Sequence, residues 1–221
     1  MEELTMKLLI AAANGQIARI VEDRILNEST FDDVELTLLL RNSQRLSNLA
    51  KDNRVTVVEG SLDNESVLNK AVAGQDMVFV AVVDHTSNNA WTKNVITAMK
   101  ENGVQRVIFT NILGLYDEVP GEFGRWNKQS VMSGLQAAIN SDKLLEESGL
   151  DYTTLRLPWL NDRDEVKYVL THRNDQYNGV SGSRQSIADV VLKIVADPTV
   201  GSKDSLGIAD PATQGEDRPV Y

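Results

Sequence analysis

The chain has 221 residues, of which 42% are hydrophobic and 24% are charged, a composition typical of a globular domain. Its net charge of -10 argues against nucleic acid or an anionic membrane as a partner, because phosphate groups would repel it. Since it has no cysteine, disulfides, thiolate metal sites and cysteine nucleophiles are excluded, and we expect a cytoplasmic protein.

Imidazole ligands are scarce as well. The two histidines, His85 and His172, lie far apart in the sequence. We expect both at surface or loop positions, and we expect no metal site.

Short apolar runs alternate along the chain with segments of helical spacing. Strands are predicted at residues 7–13, 34–40, 55–58, 77–83, 107–110, 152–157 and 206–209. Helices are predicted between these strands, and the last one spans residues 186–196. Because the strands are separated by helix-length connections, the pattern predicts a parallel sheet with helices on both faces.

Several helix ends are indicated by residue type. Asp63 is predicted to be the N-cap of the helix after the third strand, with Leu62 and Val67 forming a hydrophobic staple. Glycines are predicted to end three of the helices: Gly74, Gly103 and Gly149.

Two segments lack clear periodicity. Residues 116–128 are predicted to form a loop that covers the substrate as a lid, with its tip at 120–124. Residues 158–186 are predicted to form a small substrate-side lobe, although an ordinary surface excursion fits equally well. We therefore expect one domain over residues 1–221, and its last part, from residue 210, is expected to be an extended polar tail.

The turn after the first strand carries a weak phosphate-binding signal. Residues 11–18 read Ala-Ala-Ala-Asn-Gly-Gln-Ile-Ala and lead from an apolar strand into a helix. The start of a helix offers free N–H groups and the positive end of its dipole to a pyrophosphate. Dinucleotide-binding loops usually carry three glycines here, whereas this chain has Gly15 flanked by Ala12 and Ala18. An ordinary strand-to-helix turn is an equally good interpretation of this loop taken alone.

Further blocks follow in order along the chain. They read LLLRN (38–42), VEGSLD (58–63), GVQRVIF (103–109), SGLDYTTLRLP (148–158) and SRQSIADV (183–190). With the 11–18 turn, they make the chain resemble the atypical short-chain dehydrogenases of the NmrA-like, NAD(P)H-binding group over nearly its whole length. This resemblance implies a Rossmann-type, doubly wound α/β sheet in three layers.

The resemblance also implies a cofactor site. The pyrophosphate is expected over residues Asn14, Gly15, Gln16 and Ile17. Ser61 and Leu62 are expected beside the adenine, and the nicotinamide half is expected to pass Ala81, Val82, Val83 and Asn111 towards Pro158. Arg41, helped by Arg45, stands where a cation would accept the 2′-phosphate of NADP(H), so NADPH is favoured, with NAD as the alternative. An arginine that is simply solvated at a strand end is the other interpretation.

The usual proton-transfer residues are missing. In this resemblance a Tyr and a Lys stand four residues apart on the helix after the fifth strand, and Gly134 and Ala138 occupy those positions here. Asn111, as a hydrogen-bond donor, and Tyr116, as the nearest phenol, are the candidate catalytic residues. For Tyr116, a packing aromatic is the preferred interpretation.

Three functions remain compatible with the sequence. The first is an NADPH-dependent oxidoreductase that delivers hydride to a small or flat acceptor without the Tyr-Lys pair. The second is a non-catalytic NADP(H) sensor that acts through a protein partner. The third, a sugar-nucleotide epimerase or dehydratase, ranks last because that chemistry depends most on the missing tyrosine.

Overall fold

A computed structural model describes residues 5–221 of the chain. The strands are β1 Met6–Ala11, β2 Val34–Leu40, β3 Val55–Glu59, β4 Met77–Val80, β5 Arg106–Ile112, β6 Asp151–Leu157, β7 Trp159–Asn161, β8 Val169–Thr171, β9 Ser181–Ser183 and β10 Asp204–Ala209. The helices are α1 Gln16–Asn27, α2 Glu65–Val72, α3 Ala90–Asn102, α4 Gly121–Ser130, α5 Met132–Glu147 and α6 Arg184–Ala196.

Eight of these strands form one twisted sheet in the order β3-β2-β1-β4-β5-β6-β10-β8. All neighbours in it are parallel except β10 and β8. In the register, Ile10 of β1 lies opposite Leu38 of β2 on one side and Phe79 of β4 on the other. The chain therefore runs outward from β1 to β3 and returns to β4, as in a doubly wound fold, and the predicted fold class is confirmed.

Helices cover both faces of the sheet because successive strand residues point to opposite sides. Ile10 packs in one apolar cluster with residues of α1 and α6, including Ile25 and Ile187. Its neighbour Leu9 packs in a second cluster with residues of α2, α3 and α5. Every residue of β4 is buried, which explains its uninterrupted apolar sequence.

The helix ends agree with the prediction at their glycines but not at Asp63. All three predicted terminators have φ between 71° and 80°, the left-handed region: Gly74, Gly103 and Gly149. The prediction for Asp63 is wrong, since the N-cap of α2 is Asn64, whose side chain accepts the N–H of Val67 at 3.1 Å. The cap thus lies one residue later, and Leu62 is not the residue that precedes it.

The predicted loop at 116–128 is corrected in its secondary structure, and its role as a lid stays a prediction. The segment 116–128 contains the start of α4, so its tip at 120–124 is the beginning of a packed helix. Phe123 and Asn127 are buried, and the Asn127 carboxamide accepts the indole N–H of Trp159 at 3.0 Å. Gly124 leaves no room for a Cβ beside the carbonyl of Val119. This packing requires glycines. Because glycines are typical of loops, the sequence predicted a loop here.

The segment 158–186 divides between two sheets. β7 and β9 form a separate parallel pair, whereas β8 joins the main sheet beside β10. The tail after β10 begins with a short 3-10 turn at Pro211–Thr213, and the backbone N–H of Val220 then bonds Ser181 Oγ at 2.8 Å. Residues 1–4 of the predicted domain lie outside the described residues. No helix within residues 5–221 combines the length and apolarity needed to cross a bilayer.

Candidate functional site

A cavity of about 450 Å³ opens at the carboxyl edge of the sheet, around the switch point between β1 and β4. Loops that follow the first four strands form its walls. It brings together seven predicted cofactor residues: Asn14, Gly15, Arg41, Ser61, Leu62, Ala81 and Val82. β1 and β4 end earlier than predicted, at Ala11 and Val80, because the residues that follow them turn away to line this cavity.

The loop after β1 adopts the conformation of a glycine-rich turn. Ala12 has φ 63°, in the left-handed region that glycine normally fills, and its carbonyl accepts the N–H of Gly15 at 3.0 Å. Gly15 is the N-cap of α1 and offers no side chain to the first-turn amides. The positive end of α1 therefore remains available to an anion in the cavity.

Two arginines lie on the cavity wall that follows β2. Arg41 and Arg45 are both exposed, and neither forms an ion pair with the carboxylates of residues 5–221. Between them, Ser43 donates both its N–H (3.0 Å) and its hydroxyl (2.5 Å) to the Glu59 carboxylate. These hydrogen bonds lower the pKa of Glu59 and anchor the loop to β3. The arrangement leaves two guanidinium groups free for a phosphate dianion.

The wall on the other side is apolar and held by side-chain bonds. Trp91, in the first turn of α3, donates its indole N–H to Asp63 at 2.6 Å. Asn94 donates to the carbonyl of the buried Leu62 at 2.9 Å. Leu39 completes this part of the wall. A flat heteroaromatic base suits a slot of this kind, because a polar edge of the base can meet the Asp63 carboxylate.

Sequence reasoning did not identify several residues that line this cavity. They are Ala12, Leu39, Leu40, Asn42, Gly60, Asp63 and Trp91. Most of these residues are neighbours in sequence of predicted site residues. The sequence therefore indicated the loops of the cavity, but not every residue of those loops that lines it. Trp91 lies at the start of a helix, and its apolar spacing with Val95 indicated only a core residue.

Other predicted cofactor residues do not line the cavity. Gln16 and Ile17 begin α1 immediately beside it, and Val83 lies one residue beyond Val82. Pro158 is buried against β9, where a Cβ on Gly182 would lie 3.0 Å from its ring, and its place beside the nicotinamide half stays a prediction.

The predicted role of Asn111 as a catalytic donor is not supported by its surroundings. Its side chain is buried, with the Nδ2 group donating to the carbonyl of Ala138 at 3.0 Å and Oδ1 accepting the N–H of Ile112 at 2.8 Å. Asn111 therefore ties the end of β5 to α5, and its catalytic and cofactor-binding roles stay predictions.

Tyr116 is likewise held away from the cavity. Its hydroxyl donates to Asp142 at 2.6 Å, and the guanidinium of Arg173 lies 4.8 Å from its ring centroid. Burial, followed by the Asp142 carboxylate, raises the pKa of Tyr116 well above its usual value. This hydrogen bond to Asp142 agrees with a packing aromatic, and the catalytic role of Tyr116 stays a prediction.

Comparison with known proteins agrees with this geometry. The sequence pattern of a family described as NAD(P)H-binding matches residues 12–198. A short-chain dehydrogenase/reductase from Veillonella parvula, solved in complex with NADP, is 29% identical, with a TM-score of 0.89 and coverage of 98% of this chain and 99% of that chain. A Rossmann-fold NAD(P)-binding family protein from Shigella flexneri is also 29% identical, with the same coverage and a TM-score of 0.76.

One curated relative is an enzyme. Quinone oxidoreductase 2 of Escherichia coli K12 is 24% identical over 163 residues, which cover 70% of this chain. The match covers 49% of that relative, so the chain spans about half of its length.

Proposed function

Because the chain belongs to the NAD(P)H-binding family, we propose that it is an NADPH-dependent reductase that delivers hydride to a small or flat acceptor. The observation that carries the proposal is the cavity at the switch point, with the uncapped start of α1 at one wall and Arg41 and Arg45 at another. This arrangement matches the pyrophosphate and 2′-phosphate of a single ligand.

The choice of NADPH over NADH rests on the charge of this cavity. Two exposed arginines follow β2, where a carboxylate would instead bond the free 2′-hydroxyl of NAD. The Veillonella parvula relative was solved with NADP, which supports the same choice. The adenine is assigned to the slot between Leu62 and Trp91.

The acceptor class follows from what the chain provides. A bound nicotinamide supplies the hydride, and the protein orients it and excludes water. Gly134 and Ala138 stand at the positions of the Tyr-Lys pair, so acceptors whose reduction does not depend on that pair, such as quinones and flavins, fit best. The similarity to quinone oxidoreductase 2 supports this class. A cytoplasmic location and the absence of a nucleic-acid or membrane partner remain part of the proposal.

A second candidate is a non-catalytic NADP(H) sensor that acts through a protein partner. It is favoured by two hydrogen bonds, from Asn111 to the Ala138 carbonyl and from Tyr116 to the Asp142 carboxylate, because they occupy both predicted donors. A sugar-nucleotide epimerase or dehydratase ranks third, because its chemistry depends most on the missing tyrosine.

An acceptor screen tests the proposal. NADPH oxidation is followed at saturating cofactor with quinones, flavins and small carbonyl compounds. We expect turnover with at least one flat acceptor, and slower turnover with NADH at equal concentration. NADPH binding without turnover on any acceptor would contradict the reductase and favour the sensor.

A further inference from the structure

The loop between β4 and α3 carries a histidine at the same edge of the sheet as the cavity. Ala81 and Val82 line the cavity, and His85 follows three residues after Val82 with its imidazole exposed. The other histidine has a different environment, since His172 lies 2.5 Å from the Asp204 carboxylate.

This loop is held rigidly by the residue before His85. The buried Asp84 carboxylate accepts the N–H and hydroxyl of Thr86 at 2.9 and 2.6 Å, and those of Thr92 at 2.9 and 2.8 Å. Asn89 also donates to the carbonyl of Ala137 on α5 at 2.8 Å. The imidazole of His85 is therefore presented from a fixed backbone next to α5.

His85 faces Gly134 on α5, a position that has no side chain. A Cβ built on Gly134 would lie 4.0 Å from Nδ1 of His85. Gly134 stands one helical turn before Ala138, whose carbonyl is tied to Asn111 at the end of β5. The imidazole thus occupies the side of α5 that a tyrosine at position 134 would reach.

The order of the strands places His85 and Gly134 beyond one end of the cavity. Arg41 and Arg45 follow β2, Gly15 follows β1, Val82 follows β4, and the sheet continues to β5. A dinucleotide bound with its 2′-phosphate at the arginines and its pyrophosphate at α1 would have its nicotinamide end on the Val82 side, from which the chain continues to His85. The reacting end of the ligand is therefore assigned to this space.

Few charges surround the imidazole. On α5 and the turn before it, residues 129–141 contain no ionisable side chain. The Asp84 carboxylate is saturated by four hydrogen bonds, and the ammonium of Lys93 on α3 donates to the carbonyl of Asn88.

We propose that His85 donates the proton that accompanies hydride transfer, an inference that rests on the proposed reductase function. The acceptor gains a hydride from the reduced nicotinamide at one atom. With a quinone or carbonyl acceptor, an O–H bond forms at an acceptor oxygen as an N–H bond of the imidazolium breaks, and water then returns a proton to the neutral imidazole. Unlike Asn111, which is buried, and Tyr116, whose hydroxyl bonds Asp142, His85 is an exposed donor.

Kinetics of two matched variants test the proposal, His85→Gln and His172→Gln. For an acceptor found in the screen, we expect His85→Gln to lower kcat about 100-fold. We expect it to change the pH profile of kcat, and to leave the NADPH dissociation constant within about 3-fold of wild type. His172→Gln keeps the wild-type kcat and pH profile. An unchanged rate and profile in His85→Gln would overturn the proposal.

Proton NMR gives a readout that does not depend on turnover. The chain has two histidines, so the imidazole signals are assigned by comparison with His172→Gln. We expect NADP⁺ to shift the His85 signals and to leave those of His172 in place. Bound NADP⁺ with unmoved His85 signals would overturn the proton donor while leaving the reductase intact. A wild-type protein that binds no NADPH would overturn the reductase, and the proton donor with it.

Discussion

The indole N–H of Trp91 donates to the carboxylate of Asp63 at 2.6 Å, which joins the first turn of α3 to the loop after β3. Both residues line the cavity, so this bond fixes the width of the slot assigned to the adenine. The slot is preformed by contacts within the protein.

Replacement of the indole tests the adenine assignment. We expect Trp91→Ala to weaken binding of NADPH and of 2′,5′-ADP about 10-fold each, because an aromatic wall beside a base contributes about 1–3 kcal/mol. Trp91→Phe keeps a ring and loses only the hydrogen bond to Asp63, so it should retain most of the affinity. Calorimetric titration measures both ligands, and equal affinities for wild type and Trp91→Ala would contradict the assignment.

Removal of one guanidinium tests the preference for NADPH. We expect Arg41→Ala to weaken NADPH binding about 10- to 100-fold, since charge-assisted hydrogen bonds contribute about 1.5–3 kcal/mol. NADH lacks the 2′-phosphate, so its affinity should change little. Arg125→Ala is the control, because Arg125 is exposed and paired with Glu122 outside the cavity. Equal losses for both cofactors would show that Arg41 does not read the phosphate.

Restoring a glycine in the loop after β1 should stabilise the protein. Ala12 has φ 63°, a conformation that costs a residue with a Cβ about 1–2 kcal/mol. Part of this gain is offset by the greater freedom of glycine in the unfolded chain. We expect Ala12→Gly to raise the free energy of unfolding by about 0.5–1 kcal/mol, measured in urea, with NADPH affinity retained. The neighbouring Ala13→Gly, at a buried position without a positive φ, should lower it instead.

A buried acid on α1 should make stability depend on pH. Burial raises the pKa of Glu22 from 4.5 to about 8, against the opposing effect of Arg19, whose guanidinium lies 2.7 Å away. The Oε1 atom of Glu22 has no hydrogen-bond partner among the described residues. The native state therefore retains a proton that the unfolded chain releases, and stability falls as the pH rises from 4.5 to about 8.

Glu22→Gln tests this dependence. The variant should show a smaller loss of stability between pH 5 and pH 8 than wild type, because the amide cannot ionise. Urea unfolding at several pH values measures both slopes, and parallel slopes would contradict the account.

The repeating part of the fold could be predicted from the sequence. Seven apolar runs and the helices between them identify a parallel sheet, because strands covered on both faces are apolar along their whole length, as β4 is. α4 could not be predicted in this way. Its glycines, Gly121 and Gly124, are required by a tight turn and by contact with Val119, and they resemble a loop in the sequence.

The site could be predicted only as far as its loops. Asn14, Gly15 and Arg41 follow strands that end at one edge, so their proximity follows from the topology. The contacts of Asn111 and Tyr116 depend on partners that are distant in sequence, Ala138 and Asp142. Local pattern carries no information on such pairs, and it gave no indication that His85 lies against Gly134.

A fluorescence titration of the purified wild-type protein with NADPH and, separately, with NADH tests the assignment of the cavity to NADPH. We expect saturable NADPH binding, with NADH bound at least about 10-fold more weakly because its 2′-hydroxyl leaves Arg41 and Arg45 without a phosphate. Equal affinities would contradict the role of the two arginines. Absence of binding by either cofactor would contradict the assignment of the cavity itself.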